Sequence, residues 1–211
     1  APRKSRRIYI TDTEINHLAH KLAHPTEIII PTHFDTQLAK PLMRKRAIFH
    51  KIDGLHGHVH LHPHIRPKTV SNPPKVMVRR LLGDGIHDSD EILQIPENWL
   101  EGLSIFTADE NEVTGNPWNL IQNVANMDGV ITQSVTLASE AVLLGVPTLL
   151  ISKAKRGFLD RLKSDGYPLF IAKEKDESIL AQWLAGIHLT SELELPDWPN
   201  TRSELLEIIK H

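Results

Sequence analysis

The sequence predicts an α/β protein, with the larger part of the chain in an open, mostly parallel, doubly wound sheet. Three observations lead there. Short apolar, β-branched runs alternate with segments of helical periodicity. Polar turns rich in capping residues follow those runs. One stretch, 129–151, spells out the repeating unit: the run Gly129-Val130-Ile131-Thr132, a polar turn, a helical segment with Ser134 or Thr136 at its cap, the stop Gly145-Val146-Pro147 and a second apolar run. Such a turn, at the carboxyl end of a parallel strand, offers backbone N–H groups and a positive helix end to an anion.

Composition narrows the classes. The chain has 211 residues, room for one large domain or two small ones. Its formal net charge of −2 gives no global electrostatic case for nucleic acid. No cysteine is present, which excludes disulfides and thiolate metal sites and fits a reducing cytoplasm, the expected location. No apolar run approaches the roughly 20 residues of a membrane helix.

In chain order, 7–11 reads as a strand, 15–23 as a helix stopped by His24-Pro25, and 27–31 as a second strand, giving β-α-β with a parallel pair. A short helix over 34–42 and a third strand at 47–49 follow. His56, His58, His60, His62 and His64 then occupy every second position. In an extended segment these five imidazoles share one face and can bind zinc or nickel; the plainer alternative is a solvent-facing, His-rich loop, and no metal is assigned. Residues 67–74, rich in proline, read as a linker between an N-terminal part, 1–66, and a C-terminal domain, 75–211.

The C-terminal domain opens with a strand over 75–82, and Gly83-Asp84-Gly85-Ile86-His87-Asp88 follows. Glu91 to Leu100 is helical around Pro96, and 103–107 is a strand. Asn116 or Thr114 caps a helix with Leu120, Val124 and Met127 on its apolar face. Beyond the central stretch come a basic loop (Lys153, Lys155, Arg156), a helix over 158–163, a strand at 169–171, a helix over 177–184 and a last helix over 201–209 with a capping-box pattern, Thr201 and Glu204.

In an open parallel sheet, ligands bind at the carboxyl ends of the strands. The loops there predict a coherent site. Ser134, Thr136 and neighbouring N–H groups hold a phosphate, and Gly83 and Gly85 let a second backbone segment approach it. Glu140, one turn past Thr136, accepts hydrogen bonds from two ribose hydroxyls. Each residue also has a structural alternative as a cap, a turn or an exposed carboxylate.

Residues 128–151 resemble the donor-nucleotide motif in the C-terminal domain of GT-B glycosyltransferases and of the non-hydrolysing UDP-N-acetylglucosamine 2-epimerases, with Glu140-Ala141 and Gly145-Val146-Pro147 at the matching places. Ile10-Thr11-Asp12-Thr13-Glu14, Asp53-Gly54, Leu61-His62-Pro63, His87-Asp88 and Ser134-x-Thr136-x-x-Ser139-Glu140-Ala141 are similar, in order, to signposts of the GT-B-like domain-of-unknown-function family 354. Val135 stands where a glycine is usual in that motif. The resemblance implies a GT-B-like, Rossmann-like C-terminal domain joined to an incomplete N-terminal α/β part. It also implies a nucleotide-sugar-binding protein, a glycosyltransferase or sugar-nucleotide epimerase of cell-surface polysaccharide metabolism. Glu140 is then the ribose contact and Ser134 and Thr136 the phosphate contacts. His87 and Asp88 become the catalytic candidates, since an imidazole titrates near neutral pH. The expected partner is a UDP-sugar or related nucleotide-sugar, with no cofactor, no nucleic acid and no membrane span; a homodimer is compatible with the reading. A non-catalytic module derived from the same fold is the alternative.

Overall fold

A computed structural model describes residues 5–15, 22–37, 39, 47–62, 69–81, 93–109 and 119–210. The chain forms two compact units. One gathers residues 1–60, 155–161 and 197–211; the other gathers 61–154 and 162–196. This division is discontinuous, whereas the sequence reading kept 75–211 in one block. The last helix belongs with the first strands.

The first unit is built on three parallel strands, β1 (Ile8–Ile10), β2 (Glu27–Pro31) and β3 (Ile48–Ile52), in the order β1-β2-β3. The central strand carries Ile28, Ile29 and Ile30, all buried. A continuous apolar run is what a strand covered on both faces requires. Ile28 and Ile30 pack with Phe34 and Ala39, and Tyr9, Ala47 and Phe49 border them. Of the expected helix over 15–23, only Leu22 and Ala23 among the described residues are helical. Most of the one expected over 34–42 also lies outside the described residues.

Helix α1 (His56–His60) follows β3 directly. This overturns the extended reading for His56, His58 and His60; His62 lies beyond the helix, and His64 lies outside the described residues. Gly54 turns the chain with φ +89°, a conformation open to glycine, and one helical turn follows. His58 is buried inside that turn. Its Nδ1 accepts from the Leu55 N–H at 2.8 Å, and its ring meets Trp198 edge-on at 4.7 Å. The last helix, labelled α6 below (Thr201–Lys210), packs on α1 and β3. No capping box forms at its start. The Asn200 carbonyl accepts from the Ser203 and Glu204 N–H groups, and Glu204 accepts from the Asp53 N–H at 3.0 Å instead of reaching back to Thr201.

A charged clasp closes the unit. Arg6 donates through Nε and Nη2 to the Glu27 carboxylate and through Nη1 to the Ile209 carbonyl at 2.8 Å; Nη2 also meets the Ile208 carbonyl. His50 donates from Nε2 to Glu27 at 2.8 Å. The Arg6 guanidinium, with His50 assisting, holds the Glu27 carboxyl down to about 2, from an ordinary 4.5. A depressed carboxyl contributes stability above its unfolded pKa, and that contribution is lost as pH falls through the folded value. Glu27→Gln is therefore expected to lower the melting temperature at pH 6. The gap to the parent should close between pH 4.5 and about 2. Parallel melting curves across that range check it; a gap that does not change with pH refutes it.

The second unit holds five parallel strands: β4 (Lys75–Arg79), β5 (Ser104–Thr107), β6 (Gly129–Thr132), β7 (Thr148–Ile151) and β8 (Leu169–Ala172). Their order is β5-β4-β6-β7-β8. The chain first steps from β4 to β5 on one side, then returns to β6 on the other. The switch point thus lies between β4 and β6. Helices α2 (Leu120–Ala125), α3 (Val135–Leu143), α4 (Gly157–Ser164) and α5 (Glu177–His188) complete the α/β alternation, with α4 starting among residues of the first unit. The core joins Val76, Val78, Ile131, Leu149 and Ile151 from the strands to Trp99, Trp183 and Ile187. Residues 97–100 form a 3-10 turn after Pro96 rather than the helix expected over 91–100.

The proline-rich stretch is not a free linker where it is described. Asp128 accepts from the N–H groups of Ser71 at 3.1 Å and Lys75 at 2.9 Å, and Val70 packs on the second unit's core. No helix of the described residues is long and apolar enough to cross a membrane.

Candidate functional site

The site predicted around Ser134 lies at the carboxyl end of β6, beside the switch point. All four residues of β6 are buried, and so is Gln133. The Ser134 N–H donates to Thr132 Oγ1 at 2.9 Å, which turns the chain out of the sheet. Ser134 itself is extended (φ −82°, ψ 115°), and its Oγ accepts from the Leu137 N–H at 3.3 Å. It is the N-cap, as its residue type and place predict. Thr136 lies inside the first turn and is exposed. The opening N–H groups of a helix have no intrahelical acceptor. With Leu137 served by the cap, those of Val135 and Thr136 remain directed beyond the helix end, where the macrodipole is positive.

Helix α3 is fixed from behind. Leu137, Ala138, Ala141, Val142 and Leu143 are buried, and Gly145 (φ +78°) ends the helix with its N–H donated to the Val142 carbonyl at 2.9 Å. Glu140 stands four residues after Thr136, on the same helical face, and is half-buried.

Sequence reasoning missed the residue that organises this edge. Gln133 accepts at Oε1 from the Leu81 N–H, 2.7 Å away, and donates from Nε2 to the Leu93 carbonyl at 2.5 Å. One buried amide thereby ties both flanks of 82–92 to the end of β6. Gly83, Gly85, His87 and Asp88 all fall within 82–92 and lie outside the described residues. At the end of β4, Arg80 pairs with Asp109: its N–H donates to Oδ1 at 2.8 Å and its Nη1 to Oδ2 at 3.2 Å. Arg79 Nη1 donates to the Ala108 carbonyl at 2.9 Å. The two arginines at the close of an apolar strand were the available signal, but nothing in the sequence names their partners.

Of the three cations of the basic loop, Lys153 belongs to the second unit, while Lys155 and Arg156 group with the first. The first unit has a polar centre of its own. Glu14 is fully buried in the turn after β1. Its Oε1 accepts from the N–H groups of Asp35 at 3.1 Å and Gly157 at 3.0 Å, and its Oε2 has no hydrogen-bond partner among the described residues. Compared with family models, with curated proteins and with solved structures, the chain finds a match in none of the three.

Proposed function

We propose that the second unit binds a nucleotide-sugar at the amino end of α3, as part of a GT-B-like protein that transfers or epimerises the sugar. The observation that carries this reading is the Ser134-capped helix end at the carboxyl edge of β6, next to the switch point between β4 and β6. In this reading the N–H groups of Val135 and Thr136 and the hydroxyls of Ser134 and Thr136 receive the diphosphate, and Glu140 takes the ribose hydroxyls. Gly83 and Gly85 bring a second backbone segment to the phosphates, and His87 with Asp88 serves proton transfer. Helix dipole and N–H donors offset the charge of a leaving diphosphate without a bound metal.

UDP or UDP-N-acetylglucosamine at a hundred times its Kd should stabilise the chain by about 2.7 kcal/mol. That corresponds to a rise in melting temperature of roughly 5–10 °C. Glu140→Ala should abolish the rise. No rise with any of several nucleotides at millimolar concentration would end the proposal.

Val135 favours a second reading, a binding module without turnover. A β-branched side chain in the first turn of α3 narrows the approach of a phosphate to the backbone. Nucleotide-sugar consumption by the 211-residue chain decides between the two readings: turnover refutes the module, and tight binding without turnover supports it.

A further inference from the structure

We propose that His56 and His60 form a binding site for a divalent transition-metal ion of the zinc, nickel and copper class. Both histidines belong to the first unit. In the single turn of α1, residues four apart share a face. The two imidazole rings lie 4.7 Å apart between centroids with their planes tilted by 49°, and their ligand nitrogens come within 4.8 Å of one another. Both side chains are exposed.

The hydrogen bonds sort the histidines by tautomer. A backbone carbonyl only accepts, so the 3.0 Å contact of His60 Nδ1 with the His56 carbonyl makes Nδ1 the donor. The neutral ring then carries its lone pair on Nε2, the arrangement of a metal-bound imidazole whose other nitrogen is anchored by a carbonyl. His58 is set the opposite way. Its Nδ1 lone pair is engaged by the Leu55 N–H, and the ring is buried against Trp198. Sequence alternation had grouped all five imidazoles; the helix selects two of them and gives a third a packing role.

The same contacts hold the pair rigid. Gly54 fixes the turn into α1, and His58 pins the helix from its inner side. Rigid placement reduces the ordering cost of binding. Neutral imidazole suits zinc, copper and nickel and not magnesium or calcium, and water completes the coordination.

The test uses the full chain, purified without a polyhistidine tag and stripped with a chelator, titrated with Zn2+ by calorimetry. One ion per chain is expected, with no heat from Mg2+. Loss of an outer-shell partner alone costs about 10–100-fold in metal affinity. His56→Ala and His60→Ala should therefore each weaken zinc binding by about tenfold or more. Cooperative unfolding of the metal-free variants shows them to be folded. His62→Ala should bind as the parent does. The proposal is overturned by no binding at millimolar zinc, by parent affinity in His60→Ala, or by a loss in His62→Ala as large as that in His60→Ala.

Discussion

Glu14→Ala is expected to destabilise the protein by roughly 2–5 kcal/mol, from two lost hydrogen bonds and a buried void. Oε1 of Glu14 is the acceptor for two backbone donors from distant segments, Asp35 and Gly157. Gly157 opens α4, so the carboxylate also sits against a positive helix end. Alanine strands both N–H groups. Glu14→Gln separates shape from charge, because its amide oxygen can still accept both hydrogen bonds. Its nitrogen takes the place of Oε2, which has no hydrogen-bond partner among the described residues, so the glutamine variant should lose much less than the alanine variant. Urea unfolding of the three proteins measures the difference. An alanine variant within about 1 kcal/mol of the parent, inside the net range of a single hydrogen bond, would remove Glu14 from the centre of this unit.

Gly54→Ala should cost about as much, for a different reason. At φ +89° an L-residue pays a backbone penalty of about 1–2 kcal/mol. A Cβ there would also lie 2.0 Å from Thr201 Oγ1 and 2.9 Å from Pro199 Cγ. Thr201 is fully buried, so the overlap has to be relieved by moving packed structure, at about 1–3 kcal/mol. Together these predict a loss of roughly 2–5 kcal/mol. Gly102 isolates the first contribution. It has φ +73° with nothing within 4 Å of its would-be Cβ, so Gly102→Ala should show the backbone cost alone. Adding Thr201→Ala to Gly54→Ala should recover part of the loss. Equal losses for Gly54→Ala and Gly102→Ala would mean that α6 yields freely.

The strands were legible because their signal is local. Ile28-Ile29-Ile30, Gly129 to Thr132 and Thr148 to Ile151 are apolar runs bounded by turn residues, and all three form strands within a residue of the expected bounds. Ser134 was legible as a cap for the same reason: capping depends on residue type and on a neighbour three positions away. What escaped was long-range and polar. Gln133 bonds to residues 52 and 40 positions away, Asp128 to one 57 away, and Glu14 to one 143 away. A single polar side chain carries no periodicity that announces such a partner. The histidine stretch failed differently. Its period of two is real in the sequence, but Gly54 and the burial of His58 against Trp198 set the backbone.

The clasp from Arg6 to the Ile208 and Ile209 carbonyls has a consequence for how the chain is made. The ribosome releases β1, β2 and β3 early, yet the helix that packs on β3 comes only with residues 201–210. Every residue of the second unit precedes residue 197. At common rates of synthesis the interval is on the order of ten seconds, long compared with the folding of a small unit. The second unit can therefore complete itself first, while the three earliest strands remain without their last helix and expose the face of β3 that it covers.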